Sequence, residues 1–358
     1  MSKWHPRSPR WSWLVSVLAV VGLGLATVPA SAAPSVPISG PLGPALNGFS
    51  ERPAPKLDPA GTVAPQVVNI NTSFGFNNAV GAGTGIIIDP GGVVLTNNHV
   101  ISGATEISAF SNASGQTYGV DVIGYDRSQD VAVLQLRGGG GLPSAAIGGG
   151  ASVGEPIVAL GNTGGQGGAP GVMPGRVVAL NQTVHASDSL TGAEESLNGL
   201  IQVDAPIKPG DSGGPVVNGA GQVIGMTTAA TDSFKMSGGT GFAIPIGHAM
   251  GVAGAIRGGG GGPTVHVGPT AFLGLGVVDN NGNGARVERV VGTGPASEAG
   301  LSPGDVITSV NGAAVTSATA MADVLVPRHP GDNIALTYRS ASGGVRTVNV
   351  TLADGPPA

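Results

Sequence analysis

The chain contains no cysteine. That absence excludes disulfide staples, thiol nucleophiles and thiolate metal sites, so the packed core must hold the fold unaided. Charge and aromatic rings are scarce as well: Asp, Glu, Lys and Arg make 10% of the 358 residues, and Phe, Trp and Tyr 4%. The body of the chain carries no lysine and arginine cluster and the net charge is -5, which argues against a nucleic-acid footprint. In place of these residues stand 64 glycines and 28 prolines. Such a composition disfavours long helices and favours short strands joined by many turns. The length suits two domains, each large enough to bury a real core.

Basic residues appear at the N-terminus, where Lys3, Arg7 and Arg10 precede an uncharged run from Trp11 to Thr27. Ala30-Ser31-Ala32 then places small side chains where a signal peptidase reads. Residues 1–32 are expected to be a signal peptide cleaved after Ala32, and the protein to be secreted or extracytoplasmic, in a bacterial cell envelope; no later segment is apolar enough to span a membrane. Residues 33–61, rich in Pro, Ala, Ser and Gly without periodic apolar spacing, read as a tether. From there the pattern turns to short β-branched runs between turn signals, among them Val67 to Ile70, Gly85 to Ile88, Val93 to Leu95, Val131 to Leu136, Ile157 to Leu160, Ile201 to Val203 and Val223 to Met226. Eleven or twelve such strands predict paired barrels or a sandwich over residues 62–257. One helix is expected from Ile246 to Ile256. Gly258 to Gly262, in the segment 258–264, read as a flexible linker, and a second module fills 265–354.

Gly210-Asp211-Ser212-Gly213-Gly214 satisfies the G-x-S-x-G pattern of the hydrolase elbow and equally that of the β-barrel serine proteases. An elbow requires a helix directly after the serine. Here Pro215 and the run Val216 to Gly225 read as two strands around a turn, which disfavours it. A barrel protease needs a histidine and then an aspartate upstream. His99 closes the run Val93 to Val100, and Asp130 abuts Val131-Ala132-Val133-Leu134, whereas the rival Asp126 sits in the hydrophilic turn 126–129. Gly81-Ala82-Gly83-Thr84-Gly85 has neither the spacing nor the following helix of a dinucleotide loop, so no nucleotide cofactor is expected, and no metal.

The segments Gly81 to Asp89, Leu95 to Val100, Asp130 to Leu134, Ile201 to Ala205, Gly210 to Pro215 and Gly241 to Pro245 together resemble the trypsin-like proteases of the HtrA/DegP type. The resemblance extends to the second module, where Ala271 to Val277, Pro295 to Ile307 and Val310-Asn311-Gly312 are similar to a PDZ domain. It implies a mainly β protein: a double six-stranded β-barrel of the chymotrypsin/trypsin type followed by a PDZ domain. His99, Asp130 and Ser212 would be catalytic, with the backbone N–H groups of Gly210 and Ser212 as the oxyanion hole. Ala229, Ala230, Phe242 and Ala243 would wall the substrate pocket. Pro206 stands where trypsin-like enzymes place a pocket acid, so cleavage after small or medium apolar residues is expected. Leu273, Gly274 and Leu275 would hold a peptide's terminal carboxylate while the adjacent strand accepts the peptide. The partners implied are unfolded or extended polypeptides at the cleft and C-terminal peptides at the PDZ domain, within a homotrimer assembled through the N-terminal region.

Two departures stand out. Asp211 occupies a position where HtrA relatives usually carry asparagine, yet no Ile-Val-Gly-Gly segment is present whose freed amine would pair with it, so activation by that switch is not expected. The polar stretch from Ser187 to Asn198 reads as an insert, either a sensing loop or a plain exposed one. A small β-rich module without a ligand remains open for the second domain, and His266 and His329 read as surface residues. A chaperone-like peptide binder and a secreted esterase remain open beside the endopeptidase, because both would use the same cleft.

Overall fold

β-Branched residues at alternate positions fit a pleated, half-buried surface, and nearly every such run forms a strand. The computed structural model describes residues 58–76, 78–187, 194–228 and 241–358. A short helix α1 (Pro59–Val63) leads into β1 (Val67–Phe74), β2 (Ala79–Asp89) and β3 (Val93–Thr96). After the one-turn helix α2 (Asn98–Ile101) follow β4 (Glu106–Ser111), β5 (Thr117–Asp126) and β6 (Val131–Leu136). These strands run in the order β5-β4-β1-β2-β3-β6, and β5 also pairs with β6, closing a six-stranded ring.

The second ring is built from β7 (Pro156–Gly161), β8 (Gly171–Ser187), β9 (Glu194–Val203), β10 (Pro215–Asn218), β11 (Val223–Thr228) and β12 (Gly241–Pro245). It is a closed barrel in the order β10-β11-β12-β9-β8-β7. The helix α3 (Ile246–Arg257) begins at Ile246 as the sequence predicts and buries Ile246, Ala249, Ala253 and Ile256. This i, i+3/i+4 stripe joins the largest core cluster, with Ile86, Leu95 and Val133 from the first barrel and Val217 and Met226 from the second.

Next comes β13 (Val265–Val267), which adds to the first barrel by pairing antiparallel with β5. The second module then comprises β14 (Thr270–Phe272), β15 (Leu275–Asp279), β16 (Ala285–Val290), α4 (Pro295–Glu298), β17 (Val306–Val310), β18 (Ala313–Ala314), α5 (Ala318–Leu325), β19 (Asn333–Arg339), β20 (Val345–Thr351) and β21 (Ala353–Gly355). Its main sheet runs β15-β16-β17-β19-β20, so β15 is an edge strand. A separate cluster including Val287, Ile307, Leu336, Tyr338 and Val350 forms its core.

Two readings of the sequence are corrected by these contacts. His266 is not at the surface: it is 1% exposed, because its strand is sealed between β5 and the second module. Its Nδ1 lies 2.6 Å from the Val326 carbonyl, and Nε2 faces the carbonyls of Gly268 and Pro269. In the stretch from Ser187 to Asn198 the described residues, Ser187 and 194–198, are strand, with β8 and β9 paired out to Ser187 and Glu194, while 188–193 lie outside the described residues. The strand β4 also escaped the sequence, its Glu-Ile-Ser-Ala-Phe-Ser having only a weak alternation.

Candidate active site

The run Val93 to Thr96 stops being a strand where its side chains cease to be apolar. The chain then folds into α2, which carries His99 in a single turn. Across the barrel, Asp126 uses its Oδ1 to accept hydrogen bonds from the Ser128 N–H and hydroxyl and from the Gln129 N–H. This Asx-type cap ties down the turn 126–129 and delivers Asp130 just before β6. Asp130 itself adopts φ +53°, a left-handed conformation that aspartate tolerates better than most residues. The rival carboxylate therefore shapes the turn, and Asp130 reaches the imidazole.

The His99 Nδ1 lies 3.0 and 2.9 Å from Asp130 Oδ1 and Oδ2. The His99 backbone N–H also donates to Oδ1 at 3.0 Å. One carboxylate thus holds both the ring and the backbone of the same residue, which fixes the position of the imidazole as well as its tautomer. Two further donors escaped sequence reasoning. The Thr228 hydroxyl donates to Asp130 Oδ2 at 3.1 Å, and the Asn97 side-chain amide donates to the Asp130 carbonyl at 3.0 Å. Asn97 lay within a quoted motif, whereas Thr228 belongs to the other barrel and no local pattern could have found it.

Ser212 sits in the loop between β9 and β10 and is 5% exposed. No helix follows it; Pro215 starts β10 directly. Gly210 has φ +94°, and a Cβ there would strike the Asn162 carbonyl, with the Gly165 nitrogen 2.8 Å away. At Gly213, with φ +83°, a Cβ would strike the Thr84 carbonyl and the Thr96 hydroxyl. Only glycine meets both demands, the left-handed backbone and the close approach.

The first barrel grips this loop through Thr84, whose hydroxyl donates to the Gly210 carbonyl at 2.7 Å and whose N–H donates to the Ser212 carbonyl at 2.8 Å. Both bonds use the carbonyls of the loop. Behind it, the Gly164 N–H donates to the Pro209 carbonyl at 2.8 Å. Asp211 is fully buried and accepts from the Thr163 hydroxyl at 2.7 Å and the Lys208 N–H at 2.8 Å. Burial pushes its carboxyl above the usual range, against the opposing pull of those two donors.

The expected pocket residues are placed unevenly. Ala229 and Ala230 lie outside the described residues. Phe242 and Ala243 stand on β12, but Ala243 is fully buried among Ile201, Val216 and Ile224 inside the second barrel, so it presents no wall to a substrate. Pro206 is exposed. In the second module, Leu273 and Gly274 link β14 to β15, and Gly274 takes φ +82° with Gly294 packed close to it. Leu275 opens the edge strand β15, and the Asp279 carboxylate at its far end accepts from the Ala318 N–H at 2.6 Å, seating the start of α5 beside it. Among the described residues no cluster of His, Asp and Glu could hold a metal ion.

Paired barrels, with a serine loop gripped by Thr84 of the first barrel and an imidazole held by a carboxylate, followed by a module with an open strand edge, define a trypsin-like peptidase fused to a PDZ domain. Residues 83–226 match the trypsin-like peptidase domain family, and residues 271–352 match the PDZ domain family. The serine protease PepD of Mycobacterium tuberculosis is 32% identical to the chain over 98% of the chain and 79% of its own length. The putative serine protease HhoA of Synechocystis is 33% identical, over 66% of this chain and 61% of its own length. A crystal structure of the serine endoprotease from Yersinia pestis is similar with a TM-score of 0.47 and 27% identity, covering 83% of this chain and 96% of that one. The chain belongs to the HtrA-type trypsin-like serine proteases with a PDZ domain.

Proposed function

We propose that the protein is an extracytoplasmic endopeptidase that cleaves unfolded or extended polypeptides through a Ser212–His99–Asp130 acyl-enzyme mechanism. The observation that carries this reading is the double hold of Asp130 on His99, at its ring and at its backbone. A serine hydroxyl is a poor nucleophile near neutrality, so the ring must take its proton as the substrate carbonyl is attacked. With Nδ1–H held by the carboxylate, Nε2 is the basic nitrogen. The resulting imidazolium, stabilised by Asp130, returns the proton to the leaving amine, and water repeats the cycle on the acyl-serine. The tetrahedral oxyanion is received by the N–H groups of Gly210 and Ser212, whose peptide planes are held through the preceding carbonyls: Pro209 accepts from the Gly164 N–H at 2.8 Å and Asp211 from the Gly214 N–H at 2.9 Å.

A cleft without an acid at Pro206 suits small or medium apolar residues before the scissile bond, with Phe242 as the remaining described candidate for the wall. At the PDZ domain, the edge of β15 offers unpaired backbone groups to an incoming strand, and the Leu273-Gly274 turn gives its carboxylate a place to end, with Leu275 opening the strand. C-terminal peptides binding there would raise the rate of cleavage. Relatives described as periplasmic support the extracytoplasmic location; the proposed signal peptide 1–32 lies outside the described residues. A homotrimer is the proposed assembly.

Casein and short acyl esters, each offered to the mature protein and to Ser212→Ala, test this reading. Serine-dependent cleavage of casein exceeding that of the esters is the expected result. Esterolysis alone would make it an esterase, and holdase action retained by an inert variant would make it a chaperone-like binder.

A further inference from the structure

The last strand of the PDZ domain, β21, pairs with β14, and the chain then leaves the domain and lies against the first barrel. Residues 356–358 make three hydrogen bonds there. The Gly103 N–H donates to the Pro357 carbonyl at 2.7 Å. The Asn98 side-chain amide donates to the Ala358 oxygen at 3.2 Å, and the Ala358 N–H donates to the Tyr125 hydroxyl at 3.1 Å. Pro357 is buried, and Ala358 packs on the cluster that contains Val100, Ile101, Tyr125 and Ala132.

Two of those donors bracket the helix α2. Asn98 begins it and Gly103 follows it, with His99 between them. The third partner, Tyr125, is fully buried in β5 opposite Ala132, two residues past Asp130. A segment of three residues therefore touches the element that carries the proposed base and the strand pair that follows the proposed acid. Four-residue helices hold themselves poorly, since nucleation is unfavourable and a single turn closes few internal bonds. The orientation of α2 must come from its neighbours.

The same segment is tied to the peptide-binding end of the PDZ domain. Its strand β21 pairs Ala353 with Phe272, the residue before the Leu273-Gly274 turn. The Phe272 ring stacks on Phe76 of the first barrel at 5.2 Å between centroids, and a Cβ at Gly355 would strike that ring. On the outer flank a cleft of about 570 Å³ lies open, lined by Phe76, Ile107, Val122, Arg137, Pro356 and Pro357. The strap is thus held through hydrogen bonds on one side and has room to move on the other.

We propose that residues 356–358 are a positioning strap that sets the pose of His99 by bridging Asn98, Gly103 and Tyr125, and that it links the carboxylate turn of the PDZ domain to the proposed base. This rests on His99 being the general base. A displaced ring loses rate steeply, about 10²-fold for an error near 1 Å, while substrate binding in the cleft is untouched.

The test compares the full chain with a chain ending at Gly355 and with Tyr125→Phe, using a fluorogenic peptide with an apolar residue before the scissile bond. Active sites are titrated with a fluorophosphonate, so that kcat refers to competent molecules only. Truncation is expected to lower kcat about tenfold with KM within twofold, to move the acidic limb of the kcat/KM profile against pH, and to abolish stimulation by C-terminal peptides. Tyr125→Phe, which keeps the ring and removes the hydroxyl that meets the Ala358 N–H and the Thr270 side chain, should lower kcat about threefold in the same manner. A merely structural tail would lower the melting temperature and the titrated fraction but leave kcat per site alone. An unchanged kcat per site in the truncated chain overturns the proposal; if that chain does not fold, an unchanged kcat and pH profile in Tyr125→Phe does so. Failure of the functional reading looks different, as the full chain would then show no Ser212-dependent turnover at all.

Discussion

The two barrels hold their shares of the site by different means. In the first, side chains do the holding: Asp130 is gripped by His99, Thr228 and a turn that Asp126 caps, and His99 rides on a helix one turn long. In the second, the backbone does it, since Gly210 and Gly213 exist as glycines to take left-handed conformations against neighbouring carbonyls. The difference teaches that the proposed acid–base pair is a matter of charge and hydrogen bonding, open to chemical substitution, whereas the proposed nucleophile loop is a matter of shape, open to almost none. Variants in the first barrel should therefore alter the pH dependence of the reaction. Variants in the second should lower the rate without moving it.

The largest effect expected is that of Ser212→Ala, which should lower kcat by about 10⁶-fold while leaving the melting temperature within a few degrees, as read by stopped assay and calorimetry. Asp130→Asn comes next, at about 10⁴-fold, because an amide facing Nδ1 favours the wrong tautomer. Its loss should ease as pH rises, a trend a flat profile would contradict. Gly210→Ala should cost roughly 10²- to 10³-fold in kcat through misdirected donors, with the pH profile keeping its wild-type shape. If that profile moved, the division of labour between the barrels would fail.

The smallest effect concerns stability. The Asp211 carboxyl is raised by burial, so the native state binds its proton more tightly than the unfolded chain does. The stability this group contributes is present at pH values below the ordinary carboxylate range and is lost as pH rises through the raised value. Asp211→Asn removes the buried charge and can still pair, its amide donating to Thr163 and its oxygen accepting from Lys208. It should melt later than the wild type at pH 7 and gain nothing near pH 4, measured by thermal unfolding across that range.

Local signals carried a good deal of this. The run Val131 to Leu136 is a strand over those same residues, and α3 starts where Pro245 ends the preceding strand. Asp130 reaches the imidazole where the hydrophilic turn around Asp126 does not. Local signals failed where a residue's partner is distant in sequence. His266 read as a surface residue of the second module, and only the closure of β13 onto β5 buried it. Ala243 looked like a pocket wall, and the pleat of β12 turned it into the barrel core. The polar ends of β8 and β9, Ser187 and Glu194, are paired in the ladder, and no apolar alternation there announced the strand.

By itself, then, the order of residues pointed to the groups proposed to carry the chemistry and to the mainly β character, through side-chain type, spacing of apolar residues and glycine's missing Cβ, while its resemblance to a known family implied the double barrel and the PDZ domain. Tertiary structure alone decided that Thr84 and Thr228 reach across from one barrel to the other, and that residues 356–358 lie beside the helix of His99. Hydrogen bonds between segments about a hundred residues apart or more depend on how closed sheets pack, and no local propensity encodes that.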